Sequence, residues 1–301
     1  MGDGAPRGLA VLADGVQAAF AAGAVAELAR AGGVWLRGAG AGLGAELAAL
    51  AVLGEAERGA AAWQREGESG CPLLLSRVGA ALAALGDHSD VTVLPDPWRL
   101  SGWCDDGPLV ARLASVAAGL GERLVARGVR CTVAVTDLEW GVHRWVELAG
   151  VGDGEAARLL RAAAAFPGGW GPVGGEGSTL LAGGVEAAQD LAAVLAEGPG
   201  EWDVVCGFPV PAARRPGLSA ALLEQVQRRG EMGSASLLAR IQASPPVSIR
   251  LVAPGERLWR EFARRDGADL GCEYPVPAER NAELVSLLVA FGAFAARTAA
   301  A

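Results

Sequence analysis

Few side chains in this sequence have the types and spacing needed for covalent or metal chemistry. It contains two histidines, His88 and His143. His88 lies in Asp87-His88-Ser89-Asp90, which suits a polar loop at a helix end better than a metal or acid–base cluster, because no partner motif completes a ligand set. His143 alternates with Val142 in a predicted strand, which favours a solvated strand face. Neither histidine has a nucleophile motif to serve, so a Ser-His-Asp triad is not expected.

The five cysteines give no pattern for chemistry either. They are odd in number and include no Cys-x-x-Cys pair, which disfavours a disulfide framework and a structural zinc site and favours reduced thiols. Cys104 precedes two carboxylates, which would raise a thiol pKa and so disfavour a reactive thiol. We expect no metal, no cofactor and a cytoplasmic location.

Two glycine turns are the strongest local signals. Asp14-Gly15 follows a short apolar run at 8–12 and precedes an Ala-rich helical segment at 16–31. Gly38-Ala39-Gly40-Ala41-Gly42 follows a short strand at 34–36 and precedes a second helix. A structural turn is the favoured interpretation of residues 38–42, and an anion site at the following helix N-terminus is the alternative. The spacing misses the dinucleotide fingerprint, and the sequence has no P-loop lysine.

The order of these elements predicts the fold class. Strand, glycine turn, helix, strand, glycine turn and helix form a βαβα opening, which predicts a mostly parallel sheet with helices on its faces. Patterns further along predict a hairpin at 130–136 and 142–148, strands at 179–181, 203–208 and 247–252, and helices at 155–166, 185–195, 218–241 and 279–297. We predict a single α/β domain over 1–301 with a helical and loop insertion at about 54–128.

Composition excludes several classes of protein. The 301 residues are 51% hydrophobic and 20% charged, which excludes a disordered chain. The net charge is −8 and every basic residue is a dispersed arginine, which argues against nucleic-acid binding. The absence of lysine and the abundance of alanine are typical of a GC-rich, bacterial-type coding bias. No apolar signal-peptide core and no run of 18 apolar residues occurs, so we expect a soluble chain without a transmembrane segment.

Five segments in order resemble motifs of the patatin-like phospholipase family, over about residues 8–297. Residues 9–28 stand where that family has its oxyanion loop and first helix, residues 38–42 where it has its Gly-x-Ser-x-Gly elbow, and residues 135–141 where it has its Ala-Thr-Asp-Leu-x-x-Gly hairpin. Residues 159–172 stand where it has its Pro-rich loop, and residues 181–185 where it has its Asp-Gly-Gly. The resemblance implies a three-layer α/β fold. It also implies a Ser/Asp dyad hydrolase of ester lipids, whose glycine loop holds the oxyanion.

Each part of that catalytic apparatus departs from the family pattern. The nucleophile position between the elbow glycines Gly38 and Gly42 is Gly40, and centring the motif on Gly42 supplies no serine either. The base position is Ala182. The equivalent of the oxyanion loop is Ala13, Asp14, Gly15 and Gln17: an aspartate replaces a glycine, and Gln17 stands where the family carries Arg or Lys.

These departures favour a catalytically inactive patatin-like protein that binds a lipid or acyl ligand or a protein partner. The alternative is an active lipid acyl hydrolase with relocated groups, for which Ser178 is the first candidate hydroxyl, followed by Ser101, Ser76 and Thr179. A structural subunit, as a homo-oligomer or in a larger assembly, is a third interpretation. Two further features are candidates for a pocket or a contact surface. They are the apolar closing helix and five tryptophans of the central region: Trp98, Trp103, Trp140, Trp145 and Trp170.

Overall fold

A computed structural model describes residues 7–15, 17–69, 106–165, 170–175, 177–183, 191, 193–207, 248–254 and 278–300. The predicted polar cluster at 87–90, Cys104, Ser76, Ser101, Trp98, Trp103 and the predicted helix at 218–241 lie outside the described residues.

The described chain opens with the strand, helix, strand and helix that the sequence predicts. The strands are β1 (Arg7–Ala13), β2 (Trp35–Gly42), β3 (Arg130–Asp137), β4 (Val142–Glu147), β5 (Val173–Gly175), β6 (Ser178–Ala182), β7 (Glu201–Cys206) and β8 (Ser248–Val252). The helices are α1 (Gln17–Arg30), α2 (Gly44–Val52), α3 (Ala56–Ser69), α4 (Gly107–Ala117), α5 (Leu120–Arg127), α6 (Asp153–Ala164) and α7 (Ala278–Ala300).

These strands make one mostly parallel sheet. Strands β3, β2, β1, β7 and β8 are neighbours in that order, and each pairs in parallel with the next. Strands β4, β5 and β6 pair antiparallel at the β3 end. The predicted fold class, an α/β fold with a mostly parallel central sheet, is confirmed.

Apolar residues fill both faces of the sheet. One cluster joins α1, α2, α3, α6 and α7 to the face that carries Leu9, Val11 and Val133. The other cluster covers the opposite face, where Ala10 and Leu12 meet a helical segment around 191–196. The alternation of neighbouring β1 residues between the two clusters follows from the two-residue period of a strand, and helices therefore lie on both faces.

Helices α1 and α7 pack backbone against backbone through two glycines. A Cβ on Gly23 would overlap the carbonyl group of Val289, and a Cβ on Gly292 would overlap the carbonyl group of Phe20. Neither obstacle is a flexible side-chain end, so the close approach of the two helices requires glycine at both positions.

Helix α2 is joined to α4 by a buried ion pair. Arg112 Nη2 lies 3.0 Å from Glu46 Oε2, and the Arg112 guanidinium lies 5.0 Å from the centroid of the Trp63 ring on α3. Burial raises the pKa of the Glu46 carboxyl above its ordinary value, and the nearby charges of Arg112 and Arg58 only partly offset that effect. Breaking such a buried pair leaves a charge without compensation.

No helix among the described residues combines the length and the hydropathy required to cross a bilayer.

We predict that Gly23→Ala lowers the free energy of unfolding by about 1–3 kcal/mol or more, the cost of overpacking a tight interior. Gly154→Ala is the matched control: nothing lies within 4 Å of its Cβ position in α6, and alanine favours a helix over glycine by up to about 1 kcal/mol. Urea denaturation measures both variants. Equal stability of Gly23→Ala and the wild type would show that α1 and α7 do not approach as described.

We predict a pH-dependent difference between the wild type and Glu46→Gln. Because the folded-state pKa of Glu46 is raised, its contribution to stability is fully present below the unfolded-state pKa of about 4.3 and is lost as pH rises through the folded-state value. The wild type should therefore lose stability relative to Glu46→Gln as pH rises above that point. Arg112→Met should extend the pH range over which this stability is lost, because Arg112 lowers the folded-state pKa of Glu46. Urea unfolding from pH 4 to 8 measures it, and parallel curves for wild type and Glu46→Gln would contradict it.

Candidate functional site

The carboxyl ends of the central strands meet at one edge of the sheet. Ala13 at the end of β1 is level with Gly42 at the end of β2, and Gly207, after β7, donates its N–H to the Leu12 carbonyl oxygen at 2.8 Å. Ligands of open α/β sheets bind outside the carboxyl ends of the strands, and both glycine turns of the sequence lie here. This edge is the candidate functional site.

The strand-to-helix turn after β2 is made by Gly42. Its φ of +62° is in the left-handed region, and α2 begins two residues later. The segment 38–42, predicted as a turn, is the second half of β2 instead. Gly38 pairs with Leu9, and Gly40 lies inside the strand, between Val11 and Val133.

Gly40 and Gly44 bring the strand and the following helix into backbone contact. A Cβ on Gly40 would lie 2.7 Å from Ala45 N and 2.8 Å from the Gly44 carbonyl oxygen. A Cβ on Gly44 would lie 2.8 Å from the carbonyl carbon of Val11. Real Cβ atoms do not approach backbone so closely, so both positions exclude a side chain while α2 holds this place.

The end of β6 meets this turn because β2 and β6 pair with the same edge of β3. Strand β4 pairs with Thr132–Asp137 on one edge of β3, which leaves the other edge to β2 at 130–133 and to β6 at 135–137. Gly40 is opposite Val133 and Ala182 is opposite Val135, two residues or about 7 Å along the strand. The structure thus brings together the two positions that the resemblance assigns to the dyad region.

Neither position carries a reactive group. Ala182 is buried, and its backbone is held by its own N–H, which donates to the Ala165 carbonyl oxygen at 3.1 Å. Gly183 donates to the Ala134 carbonyl oxygen at 3.3 Å. Gly40 has no side chain, and Gly42 at the turn has none either. No hydroxyl or carboxylate is therefore supplied by these two strand ends.

Asp14 and Gln17 are the polar side chains of the first turn, and both are buried, at 6% and 1% exposure. A Cβ on Gly42 would overlap Asp14 Oδ1 and Cγ, so the Asp14 carboxyl occupies the place of a side chain at the elbow. The Gln17 Oε1 atom accepts no hydrogen bond within the described part of the chain. Gly15 turns the chain between them with a φ of +52°.

Ser178 lies away from the elbow. It begins β6, four residues or about 13 Å along the strand from Ala182. Arg158 Nη1 lies 3.4 Å from Ser178 Oγ and donates to it, and Glu155 holds the pKa of Arg158 above its ordinary range. A guanidinium that stays protonated cannot accept the proton of a nucleophilic hydroxyl. The neighbouring Thr179 donates to Glu139 Oε1 at 3.4 Å.

A Thr–His pair that the sequence did not single out supports the backbone at Ala182. Thr136 Oγ1 donates to the Ala182 carbonyl oxygen at 3.0 Å and lies 2.8 Å from His143 Nδ1. A hydroxyl has one proton to donate, so Nδ1 carries the hydrogen and donates it to Thr136. The hairpin pattern that contains Thr136 was the available signal, but spacing alone does not show that β4 and β6 lie on opposite edges of β3.

Asp137 braces the β3–β4 turn. The buried carboxylate accepts hydrogen bonds from Glu139 N at 3.1 Å and Trp140 N at 3.4 Å, and it pairs with Arg144 Nη2 at 3.0 Å. Trp140 is 75% exposed on this braced turn. Trp170, by contrast, is buried, and Trp145 packs against the second apolar cluster, so these three described tryptophans do not gather into one pocket.

In the part of the chain that the structure describes, no three His, Cys, Asp or Glu side chains are grouped to hold a metal ion.

No protein-family model matches this sequence, and no curated protein matches it. Among solved structures, VipD from Legionella pneumophila is similar to this chain with a TM-score of 0.37 and 10% sequence identity. The similarity covers 95% of this chain and 67% of the VipD chain.

Proposed function

We propose that this protein is a catalytically inactive patatin-like protein that has kept a role in binding a lipid or acyl ligand. The observation that supports the proposal is the strand-to-helix turn at Gly42, which has the positive φ expected of a nucleophile elbow. Neither Gly42 nor Ala182 carries a side chain that could cleave an ester. The lipid or acyl ligand follows from the sequence motifs that resemble the patatin-like family.

We assign the nucleophile-equivalent position to Gly42 within Gly40-Ala41-Gly42-Leu43-Gly44. An elbow nucleophile sits on a strained strand-to-helix turn, and Gly42 is the residue with positive φ there. The Gly-x-Ser-x-Gly spacing then places glycines at 40 and 44, the two positions where a Cβ would strike backbone. Gly40, the position centred between Gly38 and Gly42, lies inside the strand.

The chemical consequence is large. Loss of members of a catalytic triad reduces turnover by about 10⁴- to 10⁶-fold, because what remains is oxyanion stabilisation and binding. Ala182 cannot act as a base, and a carboxylate at Asp14 would oppose the negative charge that develops in ester cleavage. The described edge therefore supports binding rather than turnover.

We predict that the purified protein does not hydrolyse p-nitrophenyl acyl esters above the buffer rate and is not labelled by a fluorophosphonate probe. Ser178→Ala is the matched control and should behave as the wild type, because the described partner of Ser178 is a guanidinium. A wild-type rate or label that disappears in Ser178→Ala would contradict the proposal and favour the relocated hydrolase.

We predict that native mass spectrometry of the purified protein finds a co-purified acyl lipid or fatty acid. The same spectrum reports the oligomeric state, and extraction with organic solvent followed by lipid mass spectrometry identifies the ligand. A protein that carries no lipid and takes up none from added phosphatidylcholine or fatty acid would contradict the lipid-binding role and favour a structural subunit.

A further inference from the structure

The Asp14 carboxyl fills the volume directly above the elbow. Asp14 follows β1, and the pairing of Ala13 with Gly42 fixes the backbone of the two turns side by side. In that arrangement the Asp14 Cγ and Oδ1 atoms occupy the space into which a side chain at position 42 would project. The carboxyl is buried, with 6% of the residue exposed, so the contact belongs to the interior of the site.

The sizes of the residues at positions 14 and 42 constrain each other. Protein interiors are close-packed, and a core position without free space tolerates an added methyl group only if its neighbours move. Glycine at 42 makes room for Asp14, and Asp14 leaves no room for any larger residue at 42. Glycine at position 42 and aspartate at position 14 are thus sterically dependent on each other.

We propose that the Asp14 side chain is an internal plug: it fills the elbow at Gly42 and so prevents the carboxyl or ester carbonyl group of an acyl ligand from entering. Ligands of the wild-type protein then bind outside the elbow, along the rest of the carboxyl edge. The acyl ligand rests on the proposed function; the steric closure rests on the overlap of Asp14 with the Cβ position of residue 42.

A double-mutant cycle in urea denaturation tests the closure. Gly42→Ala should lower the unfolding midpoint of the wild type, and the loss should fall to less than half in an Asp14→Gly background. It should not vanish, because a Cβ at 42 also meets the Ala13 carbonyl oxygen and the φ there is positive. Asp14→Asn keeps the side-chain volume and removes the charge, so in that background Gly42→Ala should lower the unfolding midpoint as much as it does in the wild type.

Gly44→Ala is the matched control, because its Cβ would meet Val11 and no atom of Asp14 among its nearest neighbours. Its loss should be the same in the wild-type and Asp14→Gly backgrounds. Two results would overturn the plug. One is that Gly42→Ala lowers the unfolding midpoint equally in the wild-type and Asp14→Gly backgrounds. The other is that Asp14→Asn reduces that lowering as much as Asp14→Gly does.

A ligand measurement decides the question if Gly42→Ala does not fold. Decanoate should raise the melting temperature of Asp14→Gly more than that of the wild type, since only the variant has an open elbow. An equal response of the two proteins, including none in either, would overturn the plug. This outcome is distinct from failure of the proposed function, which esterase turnover of the wild type would show.

Discussion

The whole site depends on backbone contact between α2 and the strands beneath it. Gly40 and Gly44 let the helix lie directly on β2 and β1, and Gly42 supplies the positive φ that turns the chain between them. A side chain at Gly40 or Gly44 would lift the helix from the strands. Packing alone therefore requires glycine at positions 40 and 44, independently of any chemistry at this turn.

Much of the architecture was predictable from the sequence. The alternation of apolar runs, glycine turns and Ala-rich segments over the first fifty residues requires a parallel βαβα unit, and β1, α1, β2 and α2 form as expected. The hairpin of β3 and β4 and the strands β6 to β8 also lie where their patterns predict. In these elements the hydrophobic period and the turn residues specify the same structure, so local reasoning succeeds.

The details of the site were less accessible. A run of alternating glycine and alanine has no side-chain period, so the sequence did not show that residues 38–41 are strand and that the turn falls at Gly42. The meeting of β2 and β6 on one edge of β3, and the support of Ala182 by Thr136 and His143, arise from pairing between distant segments. The place of Asp14 depends on the register of β1 and β2, which composition and spacing do not encode.

The shared edge of β3 has a consequence for how the chain reaches its final form. Strand β2 and strand β6 are about 140 residues apart in sequence, yet each completes the edge that the other leaves open. During synthesis on the ribosome β3, which ends at Asp137, emerges before β6, which begins at Ser178. Part of the β3 edge therefore has no partner while the segment between them is made. Such non-local pairing slows folding and leaves a strand edge available for wrong association until β6 is in place.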